Sequence, residues 1–506
     1  MKRQSRVKGI VISYATSIIR TLTKMFLTPL YLRVLGLDDY GFYQYVYSIA
    51  IYVTILDFGI SSVINTFAIR YRESGDSDGV ENVMFYTLVF SLVSVLIIVA
   101  FGVVISVNAT AVFGPTIAGK EHLTRVLISF MISMLVMSMF QHYFDGVLLA
   151  AEKYVTLRTV DLVLIFLRMI ITLSLLYSNF GVVSIAVGDC FGIAMCLVFE
   201  WIYCVRVLDL KVKYHYKDTA LLKAIAKLAF ALCLQSLISY LNASIDKYVL
   251  GRYVGTVAVT IYTLALTFSM FFEEIATAIQ RMYLPQVVKL VSSGADGEAL
   301  TSFVIVPGRY QLMLCGGVLG AFILFGRQFI EMWSGHETLQ AWAIALYLMV
   351  PSVLPLIQNV CLSILTAMNK RMFRSYVLGA MAIANLFLTI YLVKKIGLMG
   401  APIGTFISLI LGNNIAMNLY YKKVIGINVV RLFGSILKGI LPCAIVATCA
   451  CIPLTLVNAK GVIWFVVECV AFCGLYGALL WLWGLNSIEK KQIRNAIPFL
   501  KARHSA

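Results

Sequence analysis

Apolar runs of about 20–30 residues follow one another along almost the whole chain, from Gly9 to near Leu485. At 1.5 Å per residue, a helix of that length crosses a bilayer core of roughly 30 Å. The runs are too long, and too evenly apolar, for the short alternating segments of a transmembrane barrel. The reading is therefore an all-α, polytopic membrane protein with about fourteen transmembrane helices. They are expected near 9–34, 40–70, 82–107, 122–150, 154–178, 181–206, 220–250, 253–280, 300–328, 338–368, 372–395, 399–421, 432–456 and 461–485. Charged residues make up 13% of the chain, about half the share in a soluble domain. Between the runs no loop is long enough to fold as a soluble domain.

The formal charge of +17 does not point to nucleic acid, because the basic residues sit in loops between spans. There they set orientation and meet anionic lipid. With the N-terminus inside, inner segments hold roughly 26 basic residues and outer ones roughly 8. The inner clusters are Lys2 to Lys8, Arg70/Arg72, Arg206 to Lys223, Lys370/Arg371/Arg374, Lys422/Lys423 and Lys490 to Arg503; Lys394 and Lys395 go against the rule. Both termini are expected in the cytoplasm, with an even span number. MKRQSRVK before an apolar run resembles a signal peptide. That run is too long, carries Arg20 and Lys24, and lacks a small-residue cleavage site, so it is taken as the first span.

Eleven cysteines are scattered through apolar segments, which suits inert buried thiols better than a metal or disulfide site. His142 lies in a span and reads as a packed histidine. There is no P-loop, dinucleotide fingerprint or HExxH motif. No cofactor is expected, and the chain is not read as an enzyme.

An internal repeat organises the runs. FQHYFDGVLLAAEK from Phe140 aligns without a gap to IQNVCLSILTAMNK from Ile357, matching Gln141, Leu148, Ala150 and Lys153 to Gln358, Leu365, Ala367 and Lys370. Val34-Leu35-Gly36 matches Val249-Leu250-Gly251 at nearly the same offset. Two pseudo-symmetric six-helix lobes follow, a transporter architecture with its site at the repeat interface. The expected parts are an N-terminal lobe over 1–206, a basic cytoplasmic linker over 207–219 and a C-terminal lobe over 220–421. Two additional helices over 422–485 and a basic cytoplasmic tail over 486–506 complete the chain.

Charges inside the runs mark the candidate site. Arg20 and Lys24 are one turn apart on the first span, joined by Ser13, Thr16, Ser17 and Thr28 in a polar stripe. Asp57 sits about halfway along the second. Charges at that depth cost roughly 2.5–3.5 kcal/mol each, so they face a bundle interior or wet cavity and pair with something. Arg158, Asp161 and Arg168 share one face of the fifth span. Asp189 follows on the sixth, Asp246 and Lys247 on the seventh, Glu273 and Glu274 on the eighth, and Arg309 beside Pro307 on the ninth. Arg158, Asp246 and Lys247 suit salt bridges or snorkelling helix ends. Arg20, Lys24, Arg168 and Arg309 are expected to line a cavity and bind an anion. Guanidinium groups fork onto phosphate oxygens, so the expected ligand is a diphosphate head group whose lipid tail stays in the bilayer. Asp57 is either a counter-ion to Arg20 or a proton or sodium site, with Glu273 and Glu274 the next ion-coupling candidates. Sugars would meet polar and aromatic groups such as Tyr43, Tyr45, Gln141, Gln235 and Asn242.

LYLRVLGLDDYGFYQYVYSI followed by LDFGISSVINTFAIRY resembles the opening of the polysaccharide-repeat-unit flippases for O-antigen, capsule and exopolysaccharide. These belong to the multidrug, oligosaccharidyl-lipid and polysaccharide exporter superfamily. IDKYVLGRYVGTVAVTIYTLALTF from Ile245 is similar to the start of that family's second half. The resemblance implies two lobes in a V that opens alternately to either side of the bacterial cytoplasmic membrane. It implies translocation of undecaprenyl-diphosphate-linked oligosaccharide for polysaccharide biosynthesis, driven by a proton or sodium gradient. The partners would be membrane lipids and polysaccharide polymerases or glycosyltransferases. The motif positions that carry over are Arg20, Lys24 and Asp57.

Two other functions fit the composition less well. A multidrug or small-molecule cation antiporter on the same fold would need an acidic cavity. A membrane glycosyltransferase or polymerase would need a sizeable extramembrane loop with paired carboxylates.

Overall fold

The computed structural model describes residues 2–57, 59–370, 372–455 and 461–496. Among the described residues every regular element is helical and there is no strand. Two compact units emerge, residues 1–260 and 261–506. Helix 219–253, expected to open the second lobe, thus packs with the first unit.

The first unit contains α1 (Lys2–Val53), α2 (Ile60–Glu73), α3 (Ser77–Val107), the short α4 (Ala109–Phe113), α5 (Glu121–Ala150), α6 (Tyr154–Tyr177), α7 (Val183–Arg206), α8 (Thr219–Tyr253) and the start of α9 (Thr256–Ser292). The expected first span and the start of the second are continuous in α1, which kinks at Gly36 (φ 78°, ψ 175°). The second span is not the single helix expected over 40–70. It ends in a 3₁₀ turn, Thr54–Asp57, and restarts at α2 behind Gly59. Gly59 is left-handed (φ 59°), and an added Cβ would lie 2.6 Å from Leu232 Cδ1. Backbone and packing both demand glycine there, so the chain bends beside Asp57.

In the second unit α9 continues and is followed by α10 (Gly297–Ser334), α11 (Gln340–Ile357), α12 (Val360–Ala367), α13 (Met372–Ile396), α14 (Gly400–Leu409) and α15 (Met417–Tyr420). Then come α16 (Val429–Leu437), α17 (Ile440–Thr455), α18 (Val462–Leu479) and α19 (Ser487–Ala496). Ten helices among the described residues are long and apolar enough to cross a membrane, or eleven if the bent pair α16–α17 is one span. The expected fourteen differ for local reasons. α1 and the 14-residue α2 are not among the ten. Residues 372–425, expected as two spans, count as one stretch. The chain is a multi-pass membrane protein.

The repeated sequence folds into repeated turns. α5 ends with the Lys153 N–H donating to Leu148 C=O behind a left-handed Glu152 (φ 58°). The Lys370 N–H donates to Leu365 C=O behind a left-handed Asn369 (φ 55°) at the end of α12. Each is a six-to-one bond closing a helix end, the Schellman arrangement. Gly75 and Gly294 (φ 75° and 74°) close α2 and α9 in the same way. The helices that follow are capped by Asp76 and Asp296, which accept from the Gly79 and Ala299 N–H groups.

Lipid tails are as apolar as leucine, so helix association here comes from close packing rather than from water exclusion. In the first unit Ile64, Val83, Ile98, Met139, Tyr143 and Leu148 form the centre. In the second, Val304, Ile357, Ile364, Leu365 and Tyr421 do so, while Phe325, Phe472 and Tyr476 bind α17 and α18 to α10.

Candidate functional site

The charges of the first unit collect where α1, α6 and α7 meet. The approach of α6 to α7 depends on Gly188: a Cβ there would sit 1.9 Å from the Thr172 hydroxyl. This contact brings Asp189, one residue on, against Arg168, one turn before Thr172. The Arg168 guanidinium pairs with Asp189 Oδ1. The other oxygen, Oδ2, accepts from the Tyr43 hydroxyl at 3.0 Å. Asp189 is buried, its side chain 7% exposed, whereas that of Arg168 is 52% exposed.

Tyrosines surround this pair. Tyr43 stacks on Tyr47 with centroids 6.0 Å apart, and Tyr31 on Tyr40 at 6.2 Å. The Tyr31 hydroxyl also reaches Thr172. The Gln44 amide donates to the Tyr40 hydroxyl at 3.2 Å and accepts from Lys247 Nζ at 3.4 Å. Lys24, exposed on α1, lies within electrostatic reach of both Asp189 and Lys247. Arg168 and Lys24 thus face one carboxylate beside a cluster of tyrosines, with Lys247 close to Lys24. Asp189 fixes Arg168 with one nitrogen, and the rest of the fork makes no hydrogen bond among the described residues. An anion with several oxygens can bind the free donors bidentately, and tyrosine rings offer flat apolar faces with a polar edge.

The other expected site residues are distributed differently. Arg20 is exposed on α1 and lies near Cys196 of α7, beyond the Arg168 group. Asp57 does not take Arg20 as its counter-ion; its Oδ1 lies 3.0 Å from His142 Nδ1. The break in the second span turns Asp57 toward α5 instead. His142, read from sequence as simply packed, is thus an ion-pairing group. Arg158 binds Asp161 at 2.8 Å, the helix-face pair expected. Lys247 makes no salt bridge of its own among the described residues, but it reaches Gln44. Tyr45 is fully buried, its hydroxyl donating to Phe113 C=O at 2.7 Å, so it supports α4 and has no free edge for a sugar. The side chains of Ser13 and Ser17 lie outside the described residues.

Of the second-unit candidates, Glu273 is exposed on α9 and accepts from Ser352 at 3.4 Å, and Glu274 is exposed beside it. Arg309 is a correction. Its Nε and one terminal nitrogen bind Glu489 of α19. The terminal nitrogens also donate to the carbonyls of Ser435, Lys438 and Gly484 at 2.8–2.9 Å. All five donors of the guanidinium are used, and the side chain is 9% exposed. Nothing remains to bind a substrate: Arg309 locks α10 to α16, α19 and the end of α18.

Sequence reasoning left Asp189 unassigned and passed over Asp145, Glu200 and Glu489. A carboxylate within an apolar run, as in VFEWIY around Glu200, was the signal available for two of them. Glu489 lies in a polar tail where nothing marks it as buried.

The fold is that of known transporters. A structure of the lipid II flippase MurJ in an inward closed conformation aligns with a TM-score of 0.71 at 14% identity, covering 93% of this chain and 98% of that one. An inward-facing multidrug resistance MATE family transporter of the MOP superfamily aligns at 0.65 and 14% identity, covering 79% and 96%. A eukaryotic MATE transporter, AtDTX14, aligns at 0.55 and 13%, covering 83% and 96%. No curated protein sequence matches the chain. The family model described as "Polysaccharide biosynthesis protein" matches residues 7–291. That stretch is more than half of the 506 residues and contains the whole Arg168–Asp189 group. With that match the chain belongs to the polysaccharide biosynthesis protein family.

Proposed function

We propose that this protein is a flippase that carries undecaprenyl-diphosphate-linked oligosaccharide repeat units across the bacterial cytoplasmic membrane for polysaccharide biosynthesis, by alternating access. The observation that carries the reading is Arg168 and Lys24 facing the buried carboxylate of Asp189, with Lys247 close to Lys24, beside the tyrosine cluster. An excess of positive charge at membrane depth is costly unless an anion compensates it. A diphosphate supplies that compensation, and its oxygens fit the half-exposed fork of Arg168. Tyr31 and Tyr47, the partly exposed members of the two tyrosine stacks, are the rings on which the first sugar would stack. The positive-inside bias favours both termini in the cytoplasm, where the enzymes that assemble the lipid-linked substrate would be partners. A transporter, rather than an enzyme, agrees with the family and fold.

Purified protein in liposomes provides the test. Fluorescent undecaprenyl-diphosphate oligosaccharide should bind and cross. The same lipid with a monophosphate should bind at least about tenfold more weakly, the equivalent of roughly 1.4 kcal/mol for one lost charge-assisted contact. If a cationic drug is exported and the lipid is not, the protein is a cation antiporter.

A further inference from the structure

We infer that Glu200 of α7 and Asp145 of α5 form a single proton-binding carboxyl pair in the first unit, and that the pair is the site at which protons couple to transport. The coupling half rests on the flippase reading above; the proton-binding half does not.

The polar and titratable side chains around the pair come from four elements. The 3₁₀ turn supplies Asp57, α5 supplies Gln141, His142 and Asp145, α6 supplies Arg158 and Asp161, and α7 supplies Cys196, Glu200 and Cys204. Arg20 of α1 approaches from the Cys196 side. The basic groups that α5 and α6 bring to the cluster already have partners. His142 faces Asp57 at 3.0 Å, and Arg158 bonds Asp161 at 2.8 Å. Asp145 and Glu200 remain without a salt bridge among the described residues, and they lie against each other within hydrogen-bonding reach.

Glu200 is completely buried, at 0% exposure. Neither of its carboxyl oxygens, nor Asp145 Oδ1, receives a hydrogen bond of ordinary geometry from a donor among the described residues. The Gln141 amide lies alongside without reaching that geometry. A buried carboxylate with no donor is strongly disfavoured, and two in contact repel. One proton resolves both: the carboxylic acid of one residue donates to the carboxylate of the other. The balance is one proton gained from one side of the membrane and one released to the other, with no redox change.

The pair also has a route for switching. His142 contacts Asp57 at the helix break and lies one turn from Asp145 on α5. A displacement of the broken segment that separates Asp57 from His142 would leave the His142 ring facing Asp145, where a protonated ring is a counter-ion to it. That would favour the carboxylate there and expel the shared proton.

Infrared difference spectroscopy of the purified protein, titrated by pH without substrate, reads the pair directly. The wild type is expected to show a protonated-carboxyl band that disappears on titration. Glu200→Gln should lack the band, Asp145→Asn should shift it, and Asp57→Asn should keep it. Monodispersity and thermal unfolding check that each variant is folded; with two independent variants, one that fails to fold leaves the other to decide. In liposomes, the ratio of transport with a pH gradient to transport without one should fall to one in Glu200→Gln. A band unchanged in both Glu200→Gln and Asp145→Asn, or one that follows sodium concentration instead of pH, overturns the proton site. A normal gradient ratio in both variants overturns the coupling. Loss of the band as expected, in a protein that moves no lipid-linked oligosaccharide, leaves the proton site standing and removes the flippase reading instead.

Discussion

Arg168 and Arg309 share a residue type, a setting inside apolar helices and a carboxylate partner, yet they do different work. Arg309 places all five donors on Glu489 and three carbonyls, and both partners of its ion pair are buried. Arg168 commits one nitrogen to Asp189 and leaves its side chain half exposed. The difference separates a lock from a receptor: an arginine whose fork is saturated holds helices together, and one whose fork is mostly open can hold a ligand. Sequence context does not distinguish them. What does is whether the surrounding backbone ends, here those of α16 and α18, offer carbonyls.

The largest effect expected from that contrast is on stability, in the second unit. Arg309→Ala leaves Glu489 buried without a cation and orphans three carbonyls. Breaking one partner of a buried pair costs roughly 3–5 kcal/mol, so little folded protein should be recovered. Lysine cannot make five bonds in a plane, and Arg309→Lys should also unfold at a clearly lower temperature. Thermal unfolding in detergent is the measurement. An Arg309→Lys protein as stable as the wild type would show that the fork is not the lock.

Next comes Arg168, where stability and transport should separate. Arg168→Ala strands the buried Asp189, at about 1–3 kcal/mol for an unsatisfied charged group. Adding Asp189→Asn removes the stranded charge and should return most of that stability. Transport should not return, because the anion-binding fork is still missing. Arg168→Lys keeps the charge and should transport at least about tenfold more slowly, roughly 1.4 kcal/mol of lost transition-state binding. If the double variant transports normally, Arg168 is a second lock and the comparison with Arg309 collapses.

A smaller, graded effect is expected from the supporting lysines. Lys24→Gln removes a charge near Asp189, and Lys247→Gln removes the one beside Lys24. Each should weaken binding of the diphosphate lipid severalfold, and the salt dependence of binding should flatten in step. Equal loss for diphosphate and monophosphate lipids would mean that the lysines act on the membrane surface rather than on the head group.

How much of this was legible depends on distance along the chain. The membrane-spanning class, the internal repeat and the pairing of Arg158 with Asp161 are local or periodic, so spacing alone exposes them. The equivalence of Lys153 and Lys370 is visible for the same reason, since each turn is written within six residues. The partners of Asp57, Arg168 and Arg309 are not. His142 is 85 positions from Asp57, and Glu489 is 180 from Arg309. Choosing among acids at such separations requires knowing which helix faces meet. Gly188 decides one such meeting by admitting Thr172, yet in the sequence it is only a small residue among many. The break at Gly59 was missed because the residues on either side are apolar enough to continue a helix.

The smallest effect concerns a pair at the rim of the first unit, which extends the comparison to an ion pair that is mostly solvated. Lys120 Nζ lies 2.7 Å from Asp38 and 2.8 Å from Asp39 in the turn region beyond the Gly36 kink, and Asp38 also accepts from Thr256. Lys120 first, and then Thr256, hold the Asp38 carboxyl below its ordinary value of 3.8. A carboxyl whose proton affinity is lowered by folding adds stability above its unfolded value, and loses it as the pH falls through the folded one. The contribution should therefore be complete at neutral pH and disappear below about pH 4. Its size is limited by solvent, since exposed pairs contribute about 0.2–1 kcal/mol, and Lys120 keeps Asp39 and the Phe42 ring as partners when Asp38 is lost. Asp38→Asn should lower the unfolding temperature slightly at pH 7, and the gap to wild type should close on acidification. Added salt should narrow the gap at pH 7, because an exposed pair is screened, and leave the cost of Arg309→Lys almost unchanged. A gap for Asp38→Asn that persists at low pH and high salt would mean that the Thr256 hydrogen bond, rather than the charge, is what this contact contributes.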